Sequence, residues 1–428
     1  MPYEKIELKY GRTSFEFEYD ADKLEVLDAA DDRPPPLTDV QIGELLDRPI
    51  ASRPLEEIVS PGDSVLLVVP DATRQTAAGQ MVNLVVRRLI ANGSAPHEIS
   101  IIFATGIHRR VTEEEKREIL TPFIAQRITT IDHDASNPLK NFRVGETAGG
   151  IPVELNWRLS EADHIVLVGG AAFHYFAGFT GGRKLICPGL ASVRTISETH
   201  KLAFDCESKD RRLGVGTGLL DGNAVHEAFI EAAAFAKPSF CLTTIVNEAG
   251  ETVDLYCGDW IESHRAACDA FAARHTIEIR EKRDVVIASC GGFPHDINMI
   301  QAHKALDAAS QACRDGGTII LLAECADGLG RSDFIDWFDA ENSRALGEKL
   351  CESYQVNGQT AWSLMKKAER FDVRIVSAID EYWARKMRLK HYGSLALALS
   401  STETKTAGYI LPSGAKAHIK FVGSTVVT

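Results

Sequence analysis

The chain has 428 residues, 45% hydrophobic and 25% charged, with a net charge of 47 − 60 = −13. That length predicts two or three domains with sizeable cores, and the composition excludes a largely disordered, collagen-like or disulfide-stapled small chain. An acidic protein with no run of more than three basic residues repels nucleic acid and anionic membranes, so neither is expected as a partner.

No apolar run approaches the roughly 18 residues needed to span a bilayer. Val65–Val69 and Ile165–Val168 are strand-sized, and the opening MPYEKIELKYG lacks the pattern of a signal peptide. Nine cysteines lie between Cys187 and Cys351 without a C-x-x-C pair. This pattern predicts a cytoplasmic protein with reduced, buried thiols.

Residues 6–19 alternate apolar and charged around a Gly-Arg turn, which predicts a β-hairpin, and DDRPPPLTD (31–39) is a Pro-rich loop. Short helices fit residues 40–58. DSVLLVVP from Asp63 reads as a strand buried on both faces, followed by the loop DATRQT and a helix near 77–91 that ends in Asn92-Gly93. EISIIFATG and DHIVLVGG (163–170) repeat the unit. The first leads through IHRRV into the helix TEEEKREIL, the second through a Gly-rich loop (171–190) into the helix SVRTISETHKLAF. The second half adds DVVIASCGG (284–292), a helix near 297–314, GTIILLAEC (317–325), helices near 332–370, DVRIVSAID (372–380) and AGYILPSG (407–414). Strand, loop, helix in succession predicts open α/β sheets whose ligands sit beyond the carboxyl ends of the strands. The expected domains are 1–270 and 271–428.

Four loops after buried strands carry chemistry-bearing residues. Asp71-Ala72-Thr73-Arg74 opens a helix, where backbone N–H groups and a guanidinium suit an anion; the same residues could merely cap that helix. His108, just past a strand, is placed for acid/base work or is a solvated loop histidine. The stretch His174–Gly189 holds four glycines, a histidine, Arg183 and Lys184 among aromatics. Neighbouring charge and apolar surroundings would lower the Lys184 pKa and make its amine more nucleophilic. Gln301 and Lys304, three apart, share a helix face after the Gly291-Gly292 loop. His295 and His303 read as solvated. No clustered His/Cys zinc pattern, Walker loop or G-x-S-x-G elbow is present. Gly214–Gly218 imitates a dinucleotide fingerprint but follows no apolar strand.

Together these loops and His200 resemble the lactate racemase family, the nickel-pincer nucleotide-dependent enzymes. The matching pieces are D-x-T-R at Asp71–Arg74, G-x-H-R at Gly106–Arg109, G-G-R-K within His174–Gly189, E-T-H-K at Glu198–Lys201 and Q-x-x-K at Gln301–Lys304. The resemblance implies two α/β domains with mainly parallel sheets and an active site in the cleft between them. It implies a covalent link from Lys184 to a pyridinium-3,5-bisthiocarboxylic acid mononucleotide carrying nickel, with His200 as the protein's nickel ligand. Asp71, Ala72, Thr73 and Arg74 would hold cofactor or substrate carboxylate, Gln301 and Lys304 would close the site, and His108 and His174 would be paired acid/base residues. The implied activity is racemisation or epimerisation at C2 of a 2-hydroxy acid by hydride removal and return, with cofactor-synthesis proteins as partners. Two other readings are a non-catalytic cofactor-binding protein of the same fold and a nicotinamide-dependent dehydrogenase. One departure concerns the substrate. The lactate enzyme has an aromatic residue before the glutamine of Q-x-x-K, and here it is Ile300. With His295, Asn298 and His303 nearby, a longer or more polar acid than lactate is expected.

Overall fold

A computed structural model describes residues 3–28, 34–400 and 407–423; residues 31–33 of the Pro-rich loop lie outside them. The chain is α/β with mainly parallel sheets, as expected, and divides into two compact units. One comprises residues 32–203 and 212–272; the other comprises 1–31, 204–211 and 273–428. The division expected at residue 270 therefore differs in two places. The N-terminal hairpin and the segment Phe204–Arg211 fall in the unit of the C-terminal half. Both join it through contacts distant in sequence, Leu8 with Val285 and Ile287 in one case and Phe204 with Trp362 in the other, which no local pattern reveals.

The unit of residues 32–203 and 212–272 holds a six-stranded sheet. Its order is Thr252–Gly258, Phe240–Val246, His164–Gly170, Val65–Pro70, Ile99–Ala104 and Thr129–Asp132, all parallel except the first. Val65–Pro70 shows why its sequence is apolar throughout. Successive side chains point to opposite faces: Val65, Leu67 and Val69 join Met81, Val85 and Leu89 on one side, while Leu66 and Val68 join Ile186, Ile196 and Phe229 on the other. Each such burial contributes on the order of 2 kcal/mol. From Val65–Pro70 the chain adds strands first on one side, then on the other. The change of direction puts a crevice at the carboxyl ends of Val65–Pro70 and its neighbour His164–Gly170, the usual ligand position in open α/β sheets.

The other unit has a fully parallel sheet in the order Lys390–Tyr392, Asp372–Val376, Cys313–Leu322, Arg283–Ser289, Gly408–Leu411 and Leu24–Val26. The hairpin Tyr3–Tyr10/Thr13–Asp20 buries Leu8 and Tyr19 against Val285, Ile287 and Ile320, so its alternating sequence reflects one covered face and one wet one. A disulfide joins Cys206 to Cys351, 145 residues apart, with Cα atoms 5.8 Å apart. This corrects the expectation that every thiol is reduced; the remaining seven cysteines are free and buried. No helix among the described residues is long and apolar enough to cross a membrane.

Candidate active site

Three loops leave the carboxyl ends of three adjacent strands, and their backbones are tied together. The Gly106 N–H donates to Gly189 O at 2.9 Å, and the single Thr244 hydroxyl proton is shared between Thr76 O at 2.7 Å and Gly169 O at 3.1 Å. Glycine is required at two points of the longest loop. A Cβ on Gly182, at φ +50°, would lie 2.6 Å from the His264 ring, and one on Gly189 would lie 2.3 Å from Leu185 O.

Asp71, at the end of Val65–Pro70, is buried and accepts from the Thr73 N–H at 2.9 Å and Thr73 Oγ1 at 2.5 Å through Oδ1. Its Oδ2 lies 2.7 Å from His108 Nδ1. Burial alone would raise this carboxyl, but His108, Arg74 and Thr73 outweigh it and hold it down to about 2. An ionised acceptor at that distance fixes the proton on His108 Nδ1 and leaves the lone pair on Nε2. Sequence reasoning placed Asp71 with the cofactor or substrate and missed its pairing with His108. Ala72 and Thr73 are exposed and Arg74 is half-buried on the same turn.

His174 is half-buried, stacked on Tyr175 and edge-on to Phe176. Its Nδ1 accepts from the Ala177 N–H at 3.2 Å, so the ring proton is on Nε2. Lys184 follows on a short 3-10 turn, Gly182–Leu185, with Nζ 5.8 Å from the Phe176 ring centre and 5.1 Å from that of Phe229. His200 lies on the helix Val193–Lys201, which Ser192 caps by accepting from the Thr195 N–H. It meets the same two rings, at 5.1 Å for Phe176 and 5.3 Å for Phe229. Its Nδ1 donates to Ile196 O at 2.7 Å, leaving the lone pair on Nε2. Burial, then the Lys184 charge, push the imidazole down to about 3, so it is neutral at physiological pH. The structure thus brings Lys184 and His200 into one aromatic box. Phe229, on the helix Ala224–Ala234, was missed because nothing local marks it.

In the other unit, Lys304 Nζ donates to Gln301 Oε1 at 2.7 Å on the helix Met299–Ala312. Asn298 caps that helix by accepting from the Gln301 N–H, and half-buried Ile300 packs on the edge of the core. His303 is fully buried beside Lys367, not solvated as expected, because it faces inward from the helix against the Lys367–Asp307 pair.

Among the described residues no group of three or more His, Cys, Asp or Glu could hold a metal. A metal at His200 would take its remaining donors from an organic group. The donor set fits such a group: a neutral imidazole with its far nitrogen hydrogen-bonded to a carbonyl is the form a metal ligand takes, and a primary amine lies against the same rings.

Residues 10–211 match the model of the lactate racemase N-terminal domain, and residues 279–410 match that of the lactate racemase C-terminal domain. A lactate racemase from Thermoanaerobacterium thermosaccharolyticum is 29% identical over 336 residues, 78% of this chain and 77% of that one. One from Lactiplantibacillus plantarum is 32% identical over 290 residues, 68% and 66% of the respective chains. The structure of the lactate racemase apoprotein from Thermoanaerobacterium thermosaccharolyticum matches with a TM-score of 0.89 at 26% identity, covering 97% of this chain and all of that one. A Thermotoga maritima protein, at 20% identity and TM-score 0.68, shares the fold. The two domain matches in order, and the agreement over nearly the whole chain, establish that this protein belongs to the lactate racemase family and is an isomerase of the racemase type.

Proposed function

We propose that the chain inverts C2 of a 2-hydroxy acid longer or more polar than lactate, using a nickel-pincer nucleotide held by Lys184 and His200. The observation that supports this most is the shared box of Phe176 and Phe229, which sets a primary amine and a neutral imidazole against the same two rings. Bound there, the group would supply a hydride acceptor and donor, because the C2 hydrogen beside a carboxylate is too weakly acidic to leave as a proton. Such a group must be assembled elsewhere, which implies cofactor-synthesis proteins as partners.

The chain's own residues handle binding and protons. Arg74 offers a planar fork for the substrate carboxylate or the cofactor. His108 Nε2, with its lone pair, takes the C2 hydroxyl proton, and the ionised Asp71 balances the positive charge that arrives on the ring. His174 donates a hydrogen bond from its Nε2–H to the oxygen as charge builds on it when the planar keto acid is reduced from its other face; the new hydroxyl takes its proton from water, to which His108 returns the one it accepted. The two histidines stand in complementary states, one a base and one a neutral hydrogen-bond donor, which suits inversion because the oxygen occupies different positions in the two enantiomers. A cofactor carrier would have no use for that pairing. A nicotinamide dehydrogenase would need a G-x-G-x-x-G turn after a strand; Gly214–Gly218 follows only the two-residue strand Asp210–Arg211.

The test is the intact mass of the protein co-expressed with cofactor-synthesis proteins, with metal analysis. An adduct on Lys184 that disappears in Lys184→Ala, together with nickel, is expected. Fully active protein without either would overturn the proposal.

A further inference from the structure

Behind the Lys184 turn lies a buried charge without an assigned task. Arg183 is completely buried, and its guanidinium makes no ion pair with a carboxylate among the described residues. Burial brings this group down to about 10, which still leaves it cationic at neutral pH. An apolar side chain of similar volume would avoid the cost of desolvating a charge, so the reason for the cation lies in what it touches.

Its Nη2 donates to Ala177 O at 2.7 Å, and Nη1 reaches Gly181 O at 3.4 Å. Nη1 is also 3.3 Å from His264 Nε2, but that nitrogen lies 2.8 Å from Thr180 O. A carbonyl only accepts, so the His264 proton is on Nε2 and the guanidinium faces a second donor. Burial, then Arg183, push the His264 imidazole down to about 3 and keep it neutral. Both side chains therefore act on the same object, the backbone of residues 177–181.

Ala177 has a second partner. Its N–H is the one that donates to His174 Nδ1. The carbonyl of that same peptide, Phe176 O, accepts from Asn223 Nδ2 at 2.9 Å, and Asn223 is completely buried. Buried side chains thus fix the peptide planes on both sides of Ala177, and the N–H between them, at 3.2 Å and with the Phe176 N–H at 3.5 Å beside it, points at His174 Nδ1 and favours the ring proton on Nε2.

We propose that Arg183 is a positioning residue for His174, with Asn223 as its second arm, locking Ala177 so that its N–H keeps the His174 proton on Nε2. The inference rests on His174 donating its Nε2–H to the substrate oxygen. Its structural half can be tested without cofactor, by reading histidine ring tautomers from nitrogen chemical shifts in the labelled chain. In Arg183→Met the His174 signals move from the Nε2–H form toward a mixture of tautomers, while those of His108 and His200 stay in place. Loaded enzyme loses about 10- to 100-fold in kcat with little change in KM and keeps its adduct on Lys184. If Arg183→Met fails to fold, Asn223→Ser replaces it. Serine preserves the helix cap that Asn223 provides to Val225 and His226 but cannot reach Phe176 O; the same displacement of the His174 signals is expected. Unmoved His174 signals in a folded variant overturn the clamp whatever the activity. A wild-type chain that inverts no 2-hydroxy acid, with the His174 displacement still present, overturns the catalytic reading and leaves the clamp standing.

Discussion

Asp71→Asn separates the electrostatic and geometric parts of the proposed base. A carboxyl brought from 3.8 to about 2 by its folded surroundings contributes about 2 kcal/mol to stability. Because the folded value is the lower one, that contribution is complete above the unfolded value near pH 4 and is lost as the pH falls toward about 2. The asparagine variant lacks it at every pH. Urea unfolding should therefore show wild type ahead by about 2 kcal/mol at neutral pH, with the gap closing below pH 4. The catalytic effect has another origin. The asparagine Oδ1 keeps the Thr73 bonds, which turns its Nδ2 toward His108. His108 Nδ1 must then accept, the ring proton moves to Nε2, and the nitrogen proposed as base is blocked. A kcat lower by about 10²- to 10⁴-fold is expected, with the cofactor adduct retained. An unchanged kcat, or a stability gap that does not narrow below pH 4, would refute the pairing as described.

Three further outcomes follow from the same geometry. His200→Ala should lose bound nickel in metal analysis while the Lys184 adduct persists, and full nickel occupancy would count decisively against His200 as ligand. Cys206→Ser should lower stability by about 2–5 kcal/mol, the usual range for closing a long loop, and wild type should show the same loss under reductant; a Tm indifferent to reduction would mean the bond adds nothing. In a panel of lactate, malate, 2-hydroxyglutarate, phenyllactate and gluconate, an acid other than lactate should have the highest kcat/KM if Ile300, standing where the family resemblance leads one to expect an aromatic residue, widens the pocket; lactate in first place would sink the idea.

The strands that carry the site were legible in the sequence because each is an apolar run with a polar loop after it. DSVLLVVP, EISIIFATG and DHIVLVGG became Val65–Pro70, Ile99–Ala104 and His164–Gly170. Thr112 and Ser192 cap the helices that follow. The partners of those strands were not legible. Phe240–Val246 was overlooked, and its antiparallel neighbour Thr252–Gly258 has no periodicity that fixes its direction. Leu24–Val26 is too short to announce a strand and owes its place to Gly408–Leu411. At the candidate site, His108, His174 and Lys184 were singled out from residue type and loop position, and His200 only through the family resemblance. What each is bonded to was not, because Asp71 opposite His108, Ile196 O behind His200 and Ala177 beside His174 depend on how loops fold back on one another.

The pairing of Leu24–Val26 with Gly408–Leu411 also bears on how the chain is made. The early strand has no sheet to join until a segment about 380 residues later has been synthesised. At about 5–20 residues per second the interval is roughly 20–80 s. Until Arg283–Ser289 and Cys313–Leu322 have been made, the apolar face of the N-terminal hairpin, with Leu8 and Tyr19, lacks the strands that bury it in the finished protein. The unit of residues 32–203 and 212–272 can complete its sheet well before then, at Gly258. Leu24–Val26, made early, is thus among the last segments to find its place. Trigger-type chaperones that shield nascent apolar segments have their longest opportunity at this hairpin, and severing the coding sequence between the two halves would strand it with the wrong one.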